Sequence, residues 1–300
     1  MHTSISSPSP LAISIGARIR ARRIRERQQG QLLDENQDFH ETVRMKLAGL
    51  WDCRQFDNFQ RCGNEQIFRT CDSCKAVEKF DYRCSLKWCP RCQWIIADRR
   101  RKVLQVWAHK ISQPKHLVLT QKNFPVLTQR KIREHQKNLA RMRKAKCFRK
   151  VAGGCVSIEI TNEENGWHLH SHWLIDVRWL DMEKVSVAWG KLVGQEFAIV
   201  KIKDVREAEY LQEVSKYVCE GSELASWPAE HILEFVTAIK GRRFFFAFGS
   251  LFKLGPAIRA ELAAQKPELQ PCECGCMEFI YENEVDAVLN QFRKEHKKRR

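Results

Sequence analysis

The stretch Trp167-His168-Leu169-His170-Ser171-His172-Trp173 carries an imidazole at every second position. On a β-strand that alternation sends His168, His170 and His172 to one face, where packing is a poor reason for three polar rings. Neutral imidazole is the commonest metal ligand. Two or three of them, with a carboxylate and open coordination positions, would hold a divalent cation able to polarise a phosphate oxygen. If the strand forms a hairpin whose loop is Glu163 to Gly166, Asn162 pairs with Trp167 and Glu159 stands opposite His170 on the histidine face. Glu159 is therefore the candidate acidic ligand. Its place depends on register, because a slip of one residue turns its side chain to the other face. The plain alternative is three solvated strand histidines.

A second group lies about 40 residues on, where Asp204-x-x-Glu207 resembles a capping box and Gly221 suits the position just past a helix end. Between them Val205, Ala208, Leu211, Val214 and Val218 define an apolar stripe, and Tyr210, Glu213 and Tyr217 recur on an adjacent one. The step of four from Glu213 to Tyr217 brings a carboxylate and a phenol to within about one turn, roughly 6 Å along the axis. Phenol is a weak nucleophile near its free pKa of about 10. It can attack a phosphorus whose charge a metal neutralises, after which the carboxylate can activate water.

Thiols form the third group. Cys71 and Cys74, then Cys89 and Cys92, make two CxxC pairs that read as one tetrahedral Zn²⁺ site. Cys84 is the leading alternative ligand, and Cys62 and Cys53 are also near enough to substitute. Cys272, Cys274 and Cys276 have no obvious fourth ligand, so they read either as unpaired thiols or as an incomplete second site.

The elements that must position these groups follow from periodicity. The sequence predicts a helix from Gln93 to about Ile111, a buried strand over His116 to Thr120 and a basic helix over Arg130 to Lys146. Strands then span Cys155 to Thr161 and Trp167 to Asp176, followed by a helix over Leu180 to Leu192, a strand near Phe197 to Ile202 and the tyrosine helix. This βαββαβα order points to an α+β fold, a mainly antiparallel sheet with packed helices, preceded by a zinc-binding cysteine module. The expected organisation is a basic, mostly disordered arm over 1–45, the zinc module and its helix over 46–112, the sheet domain over 113–252, and a C-terminal segment over 253–300 with the second cysteine cluster and a basic tail.

The chain of 300 residues carries 52 Lys plus Arg against 36 Asp plus Glu, a formal net charge of +16. That balance favours a polyanion bound through phosphate contacts. Arg99, Arg100 and Arg101 on the first helix, Arg141 and Arg143 on the basic helix, and Lys216 beside Tyr217 are candidate DNA contacts. No segment approaches the roughly 20 apolar residues needed to span a bilayer, so no membrane partner is expected. Thirteen cysteines gathered in short clusters suit metal ligation in a reducing cytoplasm better than a secreted disulfide scaffold.

Four segments together resemble the rolling-circle replication initiators of small bacterial plasmids, a branch of the HUH endonuclease superfamily. They are Cys84 to Trp94, His116 to Thr120 with Asn123, Ser157 to Thr161 followed by Trp167 to Trp173, and Glu213 to Val218. The resemblance implies the HUH nuclease fold, with His170 and His172 holding Mg²⁺ or Mn²⁺, Tyr217 as nucleophile and Glu213 helping to terminate the cycle. One departure is Ser171, which stands where the motif has a hydrophobic residue, so His168 and His170 are a second candidate for the pair. The implied reaction nicks and rejoins one strand of plasmid origin DNA, single-stranded at the nick, through a 5′-phosphotyrosine. A host helicase and polymerase would then act as partners in the bacterial cytoplasm, and a homodimer is an open alternative to a monomer. Two other classes compete. The three alternating histidines also resemble a histidine-triad nucleotide hydrolase or transferase, and the charge and thiols alone would suit a non-catalytic zinc-containing nucleic-acid binder.

Overall fold

The computed structural model describes residues 34–51, 53–111, 113–163, 165–196, 198–205, 211, 214–215, 219–264, 272–276 and 278–283. Among them the fold is α+β, with two antiparallel sheets and helices packed on them.

The larger sheet has the strand order β6-β3-β5-β4-β7. Here β3 is Pro114–Thr120, β4 Gly153–Glu163, β5 Gly166–Asp176, β6 Val200–Asp204 and β7 Phe245–Phe248. The β4–β5 hairpin has the expected register, with Asn162 opposite Trp167, Glu159 opposite His170 and Ser157 opposite His172. Gly166, at φ +87°, makes the turn, a conformation that costs a residue with a Cβ but not glycine.

Alternation then divides the sheet. Val156, Ile158 and Ile160 on β4, Leu169 and Trp173 on β5, and Leu117 and Leu119 on β3 are buried in the main core. Helix α4 (Gln129–Met142), capped by the Thr128 hydroxyl, and helix α5 (Met182–Val193), capped by Asp181 and ended by left-handed Gly194, belong to this side. The other side carries the histidines and a smaller core of Cys155, Leu174, Leu104, Trp107, Leu211, Val214, Leu251 and Ile258. Leu104 and Trp107 come from α3 (Pro90–His109), and Leu251 and Ile258 from α8 (Gly249–Ala264). Helices α6 (Gly221–Ser226) and α7 (Ala229–Ile239) lie between β6 and β7 in the chain. Gly249 enters α8 at φ +54°, and a Cβ there would come within 2.3 Å of the Ala152 carbonyl.

The smaller sheet, β2-β1-β8, joins the hairpin of β1 (Gln66–Cys71) and β2 (Val77–Asp81) to β8 (Phe279–Asn283). The C-terminal segment therefore returns to the cysteine module. At the other end, residues 34–47 form α1, which packs beside α2 (Arg54–Arg61), and His40 Nε2 lies 2.9 Å from the Phe59 carbonyl. Helix thus begins inside the span expected to be an arm. Its periodicity is faint in the sequence because two buried positions on its stripe, Asn36 and His40, are polar. No helix among the described residues is long and apolar enough to cross a membrane.

Candidate metal centres and histidine face

On the histidine face the side chains form a chain of contacts. His172 Nε2 lies 2.9 Å from Glu159 Oε2, and its Nδ1 lies 3.4 Å from His116 Nε2. If Nε2–H donates to the carboxylate, Nδ1 is left to accept from His116, whose ring is stacked with that of His172 at 5.6 Å. His170 extends the row, with ring centroids 4.0 Å from His168 and 6.4 Å from His172. Burial and then the His168 charge push His170 down to about 4, and burial lowers His168 as well. Both rings are therefore neutral at physiological pH and have a lone pair to offer. The donor set, imidazoles beside one carboxylate, fits a divalent cation, which would replace the proton shared by His172 and Glu159. The Glu159 carboxylate reaches His172 from its position opposite His170, its cross-strand partner. His168, His170, His172 and Glu159 share a face without converging to the spacing of the thiol groups described below.

His116 was quoted in the sequence only as part of a strand motif, and its contact with His172 needs the β3–β5 register, in which Val118 faces His172. Glu223 was missed altogether. Its Oε1 accepts a hydrogen bond from the Asn162 N–H at 3.0 Å, and burial, with a contribution from Glu159, pushes it up to about 7. Only the edge of β4 beyond its pairing with β7 makes that contact available, and no spacing rule links Asn162 to Glu223.

Tyr217, Glu213 and Lys216 lie outside the described residues, as does Tyr210. Their neighbours do not. Leu211, Val214 and Ser215 are helical, and Leu211 and Val214 are buried with Cys155 and Leu174. Cys155 and Leu174 face each other in the same alternation as Glu159 and His170, so this helical segment packs on the histidine face. Gly221 does not play the expected role: it opens α6. A Cβ on Gly221 would come 3.1 Å from Pro90 Cβ and within 3 Å of the end of the Gln93 side chain, so the close approach of α3, not a left-handed cap, favours glycine. With its nitrogen toward Cys219, the Gln93 amide bridges the Cys219 carbonyl and the Gly221 N–H, at 2.9 and 3.0 Å.

The basic candidates divide. Arg99 is exposed on α3, Arg100 lies over the Phe245 ring at 5.0 Å, and Arg101 is bonded to Asp98 at 2.5 Å. Arg141 and Arg143 are exposed on or just past α4, and Arg143 lies over Phe248 at 5.4 Å. Phe248 is paired with Gly154, in the alternation opposite to the histidines. Arg143 is thus not brought to the histidine face.

The thiols gather into two groups, not one. Cys62, Cys84, Cys89 and Cys92 form the first, and Cys71, Cys74, Cys272 and Cys274 the second, each with its sulfurs within 4.8 Å of one another. The two CxxC pairs therefore belong to different centres. The expected set of Cys71, Cys74, Cys89 and Cys92 fails because β1 carries Cys71 and Cys74 away from the start of α3. In the first group Cys62 is 3.4 Å from Cys92 and 3.7 Å from Cys89, and Cys84 is 3.7 Å from Cys92. In the second, Cys71 is 3.6 Å from Cys274 and Cys74 is 3.2 Å from Cys272. A tetrahedron with Zn–S of about 2.3 Å has S···S edges of about 3.8 Å, so both groups have nearly the size of a zinc tetrathiolate. Either can bind a metal such as zinc. The three neighbouring thiols hold Cys62 well below its usual value. The Cys276 amide, with adjacent thiols, lowers Cys274 to about 7. Arg91, buried beside the first group, donates to the Cys62 carbonyl at 2.6 Å. The partners that Cys272 and Cys274 lacked in the sequence are Cys71 and Cys74, about 200 residues away.

An antiparallel sheet with a histidine and carboxylate face, joined to a thiol-clustered module, defines the class: an α+β protein with two groups of thiols and a row of imidazoles that suit metal ligation. A family model described as "Replication protein" matches residues 78–272, more than half of the chain. The chain belongs to this family, that of the rolling-circle plasmid replication initiators. Comparisons with curated proteins and with solved structures gave no match.

Two outcomes follow from this geometry. Elemental analysis of the purified chain is expected to give about two zinc per chain, with Cys62→Ser and Cys274→Ser each removing about one; a single zinc lost in both variants would contradict two separate centres. Glu223 binds its proton more tightly when folded than when unfolded, so stability falls as pH rises from the ordinary carboxylate range to about 7 and then levels off. Glu223→Gln is expected to flatten the melting temperature across that window, as read by calorimetry at several pH values.

Proposed function

We propose that this replication initiator is an HUH-type, metal-dependent endonuclease that nicks and rejoins one strand of plasmid origin DNA. His170 and His172, with His168 and Glu159, hold the ion, and Tyr217 is the nucleophile. The observation that carries the reading is the packing of Leu211 and Val214 on the sheet face that bears the histidines. Tyr217 follows Val214 by three residues in the sequence, and on a continuous helix, as the sequence predicts, the two would share an element, which supports the phenol as the group that meets the metal ligands.

When bound, Mg²⁺ or Mn²⁺ would neutralise charge on the scissile phosphate. The Tyr217 oxygen forms a bond to phosphorus, the 3′ oxygen of the preceding nucleotide leaves and takes up a proton, and a 5′-phosphotyrosine results. The 3′-hydroxyl is then open to a host polymerase behind a host helicase. Glu213, one turn from Tyr217, activates water for the closing step. Glu159 is the carboxylate ligand beside His172 Nε2, and His116, on the other nitrogen, fixes the tautomer of that ring. Lys216, Arg99, Arg100 and Arg101 supply phosphate contacts on the side of the histidines, Arg141 and Arg143 supply contacts to DNA passing the opposite side of the sheet, and the two thiol groups would hold zinc in the module that bears on origin recognition. Family membership favours this reading over a histidine-triad hydrolase, which would leave the tyrosine helix unused.

Labelled single-stranded origin DNA incubated with the chain and Mn²⁺ is expected to give a covalent adduct on a denaturing gel. His170→Ala and His172→Ala should each lower the rate by roughly a hundredfold or more, in keeping with the loss of a metal's charge stabilisation, and Tyr217→Phe should abolish the adduct. An adduct formed equally well without divalent ion, or by both histidine variants, would sink the metal assignment.

A further inference from the structure

Beside the histidine face, α3, β7 and α8 line a cavity of about 730 Å³, of which the mechanism above uses only Arg99 and Arg100. Its apolar lining is crossed by four guanidinium groups, Arg99 and Arg100 from α3, Arg243 from the approach to β7 and Arg259 from α8, together with the rings of Phe245 and Phe252. Among the described residues none that lines it is acidic. Phe252 is 69% exposed, an unusual place for an aromatic ring.

The cavity lies on the same face of the sheet as the histidines. Phe245 is paired with Ser157, and Ser157 with His172, so the three side chains stand on one face of three neighbouring strands. Two strand spacings, about 10 Å, separate Phe245 from the histidine. Pockets of about 300–1,000 Å³ are the usual size for a ligand as large as a nucleotide. Arginines supply phosphate contacts, and exposed rings supply stacking surfaces open only to unpaired bases.

We propose that this cavity holds the single strand flanking the scissile phosphate, with a base stacked on Phe252 and the neighbouring phosphates on the arginines. The inference rests on the nuclease reading of the histidine face and names where its substrate runs. Charge complementarity commits the occupant to a polyanion, and the aromatic rings commit it to one with unpaired bases. A duplex buries its bases in the stack and would meet the arginines alone.

The test measures binding of the full, zinc-loaded chain to a fluorescent single-stranded origin oligonucleotide and to its duplex, by anisotropy over a range of salt and without added Mg²⁺ or Mn²⁺. Phe252→Ala is expected to weaken single-strand binding by about tenfold, the loss of one stacked base, with little effect on duplex. Arg99→Ala with Arg259→Ala is expected to reduce the slope of log affinity against log salt by about 1.4, two phosphate contacts on a single strand. Unchanged single-strand affinity in both variants, or equal losses on single strand and duplex, would overturn the groove. The covalent-adduct assay, run on the wild type and Tyr217→Phe, keeps the two ideas apart. A wild type that binds the oligonucleotide through Phe252 but forms no adduct refutes the nuclease and leaves the groove standing; the reverse pattern does the opposite.

Discussion

The register of the β4–β5 hairpin is the constraint on which the rest depends. Strand alternation has a period of two, so fixing Glu163 against Gly166 settles the face of every residue on both strands. Ile158, Ile160, Leu169 and Trp173 go to the main core, and Ser157, Glu159, His168, His170 and His172 go to the other side. A slip by one residue would bury the histidines under α4 and α5 and expose the tryptophans, at a cost of several fully buried large side chains. The energy that holds the histidine face in place is therefore that of the opposite face, where Trp173 packs edge-on to Phe148 and Phe248.

The thiol-bearing module is tied into the same arrangement. The first thiol group contains Cys89 and Cys92, which bracket the first turn of α3, and Gln93 directly follows it. Through its amide that residue holds the Cys219–Gly221 turn, where the tyrosine segment gives way to α6. Further along, Leu104 and Trp107 of α3 pack with Leu211 and Val214. Helix α3 thus meets Leu211 and Val214 on one side and the Cys219–Gly221 turn on the other, and it starts at a four-thiol centre. The second centre closes the chain on itself by holding the turn before β8 against the turn after β1.

Local pattern carried far in the sequence. The hairpin, its register, the α+β order and the split of faces were legible because each rests on alternation or helical spacing within a few residues. Long-range partnership was not. Only 14 residues intervene between Cys74 and Cys89, yet the partners of Cys71 and Cys74 are Cys272 and Cys274, and nothing in sequence spacing favours the distant pair. The contacts of His116 and Glu223 likewise exist only after β3 and α6 dock against β5 and β4. Strand β7 and helix α8, which build the arginine-lined cavity, were hidden by a short run of aromatics with no clear period. Gly221 had the right residue for a helix end, but close packing against α3 explains it.

The most direct measurement is mass spectrometry of tryptic peptides from the covalent protein–DNA product. Cleavage after Lys216 leaves Tyr217 at the start of its peptide and Tyr210 on the preceding one, so the two phenols are separated by the digest. The account predicts a nucleotide mass, attached through a 5′-phosphate, on the peptide that begins with Tyr217. The same mass on the Tyr210 peptide, or on the peptide containing His168, His170 and His172, would contradict it.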